Sequence, residues 1–198
     1  MAYAEGKQKL IDAALKLSAE KRSFANIGLR ELAREAQLNP NTFYRHFDSL
    51  EELGVYMIDE VGATLLDALA QVQSQKFDPT RVNEQALDLF FDFVLQYQDA
   101  LTVAACERYS SSVALRQALE ERLETFAINI ANNVAKMGAL AVLPRDKINQ
   151  VMRHITQHCF RVAVDYIEQV DQREQIRNDT RDYIMMLFLG AIALTKNS

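Results

Sequence analysis

Glycine and proline are scarce in this chain, six and three among 198 residues, against a usual joint share of roughly 12%. Sandwiches, barrels and alternating strand–helix folds need frequent turn punctuation between short elements, and this sequence does not supply it. An all-α chain of about nine helices is expected. Cysteine is also sparse: Cys106 and Cys159 form no CxxC and no ladder of spacings, and no secretory leader precedes them, so the expected setting is a reducing cytoplasm. The longest apolar run, Ile184 to Leu194, has eleven residues where a membrane span needs roughly 20. It reads as a buried helix, with no membrane partner. There is no phosphate-cradling glycine loop and no nucleophile–histidine–acid motif, so the chain is not expected to be an enzyme or to carry a cofactor.

What is present is helical periodicity nearly from end to end, and the breaks carry the information. Leu10, Ala14 and Leu17 form one short stripe, followed by Phe24 and Ile27. Leu29, Leu32, Ala33 and Ala36 lie on one face of a second helix at i, i+3, i+4, i+7. After Gln37-Leu38, Asn39 is a natural cap and Pro40 a natural first residue for a short third helix. Ser49-Leu50-Glu51-Glu52 is a capping box that opens a helix to about Gln75. Further helices are expected from Asp78-Pro79-Thr80 to about Tyr97, over Leu101 to Tyr109, from Val113 to Gly138, from Arg145 to Val170 and from Glu174 to Leu194.

The net charge of −5, taken whole, argues against a nucleic-acid partner, but it is unevenly divided. Residues 1–47 hold 8 Lys/Arg and 5 Asp/Glu, a balance of +3, and residues 48–198 hold 14 and 22, a balance of −8. A small basic head on an acidic body suits a DNA-binding module with a regulatory partner domain. Random scatter of charge gives the same figures.

Two short helices joined by a tight turn, the second polar and aromatic, form the helix-turn-helix layout. If Phe43 and Phe47 face the core with Leu38, then Asn41, Thr42, Arg45 and His46 lie on or beside the opposite face. Arg45 suits guanine O6 and N7, whereas Thr42, Tyr44 and His46 suit phosphate oxygens or a thymine methyl. Taken singly, Tyr44 also reads as a rim residue and His46 as a surface histidine.

The stretches Ile27 to Ala36, Thr42-Phe43-Tyr44-Arg45-His46-Phe47 and Leu50-Glu51-Glu52-Leu53 resemble the N-terminal domain of the TetR family of transcriptional regulators, over roughly residues 7 to 66. The resemblance implies a helix-turn-helix DNA-binding domain over 1–50 and a ligand-binding and dimerisation domain over 51–198. It places Thr42, Tyr44 and His46 at phosphates, Arg45 and Asn41 near base edges and Arg30 at the duplex edge. Two residues depart from the family pattern. Gln37 stands where a turn glycine is usual; a non-glycine residue in the left-handed region costs about 1–2 kcal/mol, so either the turn differs or the core absorbs the strain. Gly28 stands where Ser or Thr usually caps the second helix, a loss of only a few tenths of a kcal/mol.

A narrower resemblance, carried by Ser23-Phe24-Ala25, Ser49-Leu50-Glu51-Glu52-Leu53-Gly54, Asp59-Glu60, Glu107-Arg108, Ser110, Arg116 and Phe126, is to the FabR/DesT branch, repressors of unsaturated fatty-acid synthesis genes that sense long acyl-thioesters. It implies an acyl-CoA or acyl-carrier-protein thioester as a small apolar effector. Phe90, Phe91, Phe93, Val94 and Tyr97 crowd one helix, and Leu119, Leu123, Phe126 and Ile130 stripe another. Both a plain core and the lining of an acyl cavity fit these stripes. Arg108 and Arg116, with Glu107 positioning Arg108, are the candidate phosphate partners in an acidic body; a surface ion-pair network fits them equally. His154 and His158 are four apart with Cys159 adjacent, but no further ligand completes a metal site, so no metal is expected.

The terminal helix, apolar on every side, needs its own core and another subunit as partners. By resemblance the last two helices form a homodimer through a four-helix bundle. Two reading heads would then lie about one DNA turn apart, roughly 34 Å, over a palindromic site in double-stranded DNA. The function implied is a cytoplasmic repressor. Two alternatives stay open: an efflux regulator sensing aromatic or cationic drugs, for which buried acids would speak, and a helical adaptor that does not read DNA.

Overall fold

The computed structural model describes residues 2–73, 82–136 and 143–196, and all regular structure among them is helical. The helices are α1 (Ala2–Lys21), α2 (Leu29–Glu35), α3 (Pro40–Phe43), α4 (Leu50–Gln73), α5 (Val82–Gln96), α6 (Gln98–Glu107), α7 (Val113–Lys136), α8 (Arg145–Glu168) and α9 (Arg173–Lys196), with a 3₁₀ turn over Val170–Gln172. The all-α expectation and its helix count hold. The expected start at Asp78-Pro79-Thr80 and the expected end at Gly138 lie outside the described residues.

The stops show how a glycine-poor chain turns. At the end of α1 the Ser23 N–H donates to the Ser18 carbonyl at 3.1 Å and Arg22 to Ala19 at 3.3 Å; at the end of α2 Leu38 donates to Ala33 at 2.9 Å and Gln37 to Arg34 at 3.1 Å. Each pair is a Schellman motif, which requires a left-handed residue, usually glycine. Here those residues are Arg22 at φ 48 and Gln37 at φ 56. The turn after α2 therefore takes the left-handed form that glycine usually supplies, and the chain carries the strain.

The starts are capped locally. Asn39 accepts from the Asn41 N–H at 2.9 Å with Pro40 at the first helical position. Ser49 Oγ accepts from the Glu52 N–H at 3.1 Å. The Glu52 carboxylate takes the N–H of Asp48, one residue earlier than a capping box would have it. Gly28 caps α2 from extended backbone with no side-chain bond.

The chain divides into two compact units, residues 1–64 with 97–122 and residues 65–96 with 123–198, so α4 and α7 each contribute to both. In the first unit α1 packs on α2, α3 and α6. The core comprises Leu10, Ala14, Leu17, Phe24, Ile27, Leu32, Phe43, Phe47, Leu53 and Met57 with Val103 and Leu115. Phe43 is 1% exposed, and truncating such a phenylalanine to alanine costs about 3–5 kcal/mol. Gly54 brings α4 close to this core: a Cβ there would lie 2.7 Å from Leu115 Cδ2 and 2.9 Å from Phe24 Cε1.

In the second unit α8 packs on α9 and α5 around Ala127, Ala131, Leu143, Ile148, Val151, Met152, Ile155 and Ala191. Phe91 is buried against Tyr166, ring centroids 4.2 Å apart, and an Arg177–Asp88 ion pair ties α9 to α5. Arg153 grips Glu124 with two hydrogen bonds of 2.7 Å. No described helix is long and apolar enough to cross a membrane.

Candidate nucleic-acid interface

The candidate reading segment starts from the capped, proline-led α3. One helical turn is formed before the bonds tighten: Arg45 N–H donates to Thr42 at 3.2 Å and His46 N–H to Phe43 at 2.8 Å, both i to i−3. Phe43 and Phe47 point inward and are almost fully buried, as their four-residue spacing requires. Their burial sets the other faces: Asn41, Tyr44 and Arg45 are exposed and Thr42 is half-buried. Tyr44 keeps its ring edge-on to Phe43 at 5.5 Å while remaining 60% exposed. Arg30 is exposed on α2.

His46 takes a different direction. Its ring is half-buried against α1, stacked obliquely on Tyr3 at 4.4 Å. Its Nδ1 is buried with no hydrogen-bond partner among the described residues. Burial first, then the Lys7 and Arg45 charges, hold its pKa below the ordinary histidine value. The sequence pattern missed the α1 residues it meets. A signal was available, because Tyr3, Lys7, Leu10, Ala14 and Leu17 continue one helical stripe to the start of α1.

The basic balance of this segment is distributed by pairing. Lys9 meets Glu5, Lys16 meets Glu35 and Lys21 meets Glu31. The Lys21 ammonium holds the Glu31 carboxyl below the usual carboxylate range, and the Gly28 N–H adds to this, so Glu31 supplies the return half of a capping box that Gly28 cannot start. Arg30 and Arg45 remain exposed.

The candidate effector residues fall in both units. Phe93, Val94 and Phe126 are buried and Phe90 and Leu123 half-buried, all in the second unit. Tyr97, Glu107, Arg108 and Arg116 are in the first. Glu107, expected to position Arg108, is 2% exposed and its Oε1 accepts the Phe24 N–H at 2.6 Å. It thereby holds the α1–α2 connection from α6. Its Oε2 is buried with no hydrogen-bond partner among the described residues. The Arg116 guanidinium donates to the Ser110 carbonyl and braces the α6–α7 turn. His154 is exposed, His158 stacks on Tyr183 at 3.9 Å, and burial pushes the Cys159 thiol up to about 12. Among the described residues no three His, Cys, Asp or Glu side chains group as a metal site would.

Residues 10–55 match the family model for bacterial regulatory proteins of the tetR family. An uncharacterized HTH-type transcriptional regulator of Haemophilus influenzae is 35% identical over 130 residues, 65% of this chain and 63% of the relative. The match thus spans somewhat under two thirds of that relative's length. Among solved structures, a transcriptional regulator of Rhodococcus sp. Rha1 superposes with a TM-score of 0.73 at 18% identity, covering 94% of this chain and 97% of that one. FadR of Bacillus subtilis, solved in complex with stearoyl-CoA, superposes with a TM-score of 0.72 at 16% identity, covering 91% and 97%. At these identities the structural likeness speaks to the fold alone, and the family model reaches no further than residues 10–55. The N-terminal helix-turn-helix segment is thus similar, over residues 10–55, to the bacterial regulatory proteins of the tetR family.

Proposed function

We propose that the protein is a homodimeric, DNA-binding transcriptional repressor. Residues 1–50 read a palindromic operator, and residues 51–198 bind an effector and hold the dimer. The observation that carries this reading is the inside–outside division of the reading segment: Phe43 and Phe47 lock it into the core while Asn41, Tyr44 and Arg45 stay exposed beside a helix bearing exposed Arg30. Arg45 is assigned to a base edge, Asn41 beside it, Thr42 and Tyr44 to phosphates and Arg30 to the duplex edge. His46 contributes at most its outer edge. For dimerisation, support comes from Met185, Met186 and Leu189, which leave an apolar face of α9 exposed.

A gel-shift titration against duplexes enriched from a random pool tests the reading. Binding that weakens steeply with salt is expected, because phosphate contacts release counterions. Arg45→Ala should cost about 1–3 kcal/mol and relax one base position per half-site, whereas Tyr44→Phe weakens all sequences alike. Equal loss on every sequence for Arg45→Ala contradicts base readout.

For the effector we propose a long-chain acyl-thioester, carried on coenzyme A or acyl-carrier protein, acting on unsaturated fatty-acid synthesis genes. The FabR/DesT-like residues support it, as does the stearoyl-CoA held by FadR of Bacillus subtilis. In this reading Phe90, Phe93, Val94, Tyr97, Leu123 and Phe126 serve the acyl chain and Arg108 and Arg116 the phosphates. A shift in operator affinity of tenfold or more needs coupling of only about 1–3 kcal/mol. Mass spectrometry of co-purifying lipids, and calorimetry with oleoyl-CoA on Arg108→Ala and Arg116→Ala, test it; unchanged affinity in both variants refutes the phosphate assignment. A second reading, an efflux regulator sensing cationic compounds, draws on one observation, the buried Glu107 oxygen.

A further inference from the structure

The reading segment is too short to hold its own geometry. α3 ends at Phe43, so Arg45 lies beyond the helical ladder. A carbonyl at such a helix end has no partner within its own helix. The Tyr3 hydroxyl, on the first turn of α1, donates to the Arg45 carbonyl at 2.9 Å. The Tyr3 ring leans on the imidazole of His46 at 4.4 Å. One turn on, Gly6 makes room for that imidazole, since a Cβ there would lie 3.0 Å from His46 Nε2. Beside it the Lys7 ammonium sits 3.6 Å from the centre of the Tyr56 ring and 5.4 Å from that of Phe47. Positions 3, 6 and 7 share one helical face, and that face grips residues 45 to 47.

We propose that the first turns of α1 act as a splint for the reading segment. Tyr3 and Gly6 are positioning residues that aim the Arg45 side chain and so set base discrimination without touching the duplex. The inference rests on the DNA-reading function proposed above. A side chain that reads a base by two hydrogen bonds tolerates little angular error, and its backbone is the only part of Arg45 that the fold can hold while the guanidinium stays free for DNA. Tyr3 holds that backbone at its carbonyl.

The test uses the full-length protein. An operator is first enriched from a random duplex pool with the wild type. Competition binding at one salt concentration then compares that operator, its variants at the position relaxed by Arg45→Ala, and a scrambled duplex. Tyr3→Phe removes one hydroxyl and keeps the ring. It is expected to lower discrimination at the Arg45 position about threefold to tenfold, the scale of one lost hydrogen bond, with affinity for the scrambled duplex unchanged and the thermal midpoint lowered by no more than a few degrees. In Tyr3→Phe/Arg45→Ala the two losses should not add, because both act through one side chain. Hydrogen exchange of the 45–47 amides, measured without DNA, should be faster in Tyr3→Phe and in Gly6→Ala. Unchanged discrimination, equal loss on operator and scrambled duplex, or additive losses overturn the splint while leaving DNA reading intact. Unchanged exchange also overturns it. A wild type that enriches no sequence overturns the DNA reading and the inference with it.

Discussion

Replacing Gln37 by glycine should stabilise this protein. Gln37 is the left-handed residue of the Schellman motif that ends α2, at φ 56, with its side chain exposed, so the replacement removes no packing. A non-glycine residue there costs roughly 1–2 kcal/mol, while glycine returns about 0.5–1 kcal/mol through the greater freedom of its unfolded chain. The net gain is about 0.5–1 kcal/mol, or about 1–4 °C in thermal midpoint for a chain of this length. Urea unfolding followed by circular dichroism, at one fixed protein concentration, should show a raised midpoint at unchanged slope. Gln37→Ala keeps a Cβ in the left-handed region and should stay close to the wild type. The reasoning is refuted if Gln37→Gly is no more stable than the wild type, or if Gln37→Ala gains as much. Operator affinity should not change, since the two motif hydrogen bonds, Leu38 to Ala33 and Gln37 to Arg34, use backbone alone.

Three further outcomes follow from other parts of the fold. Glu107→Ala leaves the Phe24 N–H without its acceptor and should cost about 1–3 kcal/mol, whereas Glu107→Gln keeps an acceptor oxygen in place and should lose less; equal losses in thermal unfolding would refute the acceptor role. His158 is held below its ordinary value of 6.5 by burial first and the Arg161 charge second, so the native state favours the neutral ring. Its contribution is therefore fully present above 6.5 and lost as pH falls through the lower native value. Unfolding of the wild type and of His158→Phe, which retains a ring against Tyr183, should thus show a gap that changes between about pH 7.5 and 5; a pH-independent gap refutes the assignment. Finally, Leu189→Glu puts a charge on the exposed apolar face of α9 and should shift sedimentation towards the monomer and abolish operator binding. A full-affinity dimer would place the interface elsewhere.

Local chemistry was legible in the linear sequence. Asn39-Pro40 and Ser49-Leu50-Glu51-Glu52 act over two to four residues, and both open helices where expected. The inward pair Phe43 and Phe47 followed from helical periodicity, and with it the exposure of Asn41 and Arg45. The terminal helix was legible as apolar, and its exposed Met186 and Leu189 are what an interface between copies would cover.

Other assignments depended on residues far apart in the chain. Glu107 and Phe24 are 83 positions apart, and no spacing rule joins an acid on α6 to a backbone amide after α1. His46 has the sequence of a surface histidine; the approach of Gly6 and Tyr3 turns it inward, because only helix packing brings α1 beside α3. Residues 97–122 cluster with the N-terminal helices, through hydrophobic contacts of Val103 and Leu115 that no local pattern specifies. The scarcity of glycine determined that this chain would be helical with few turns. That two of those turns are made by Arg22 and Gln37 in a glycine conformation was decided by tertiary packing, because only burial of the surrounding helices outweighs the local strain.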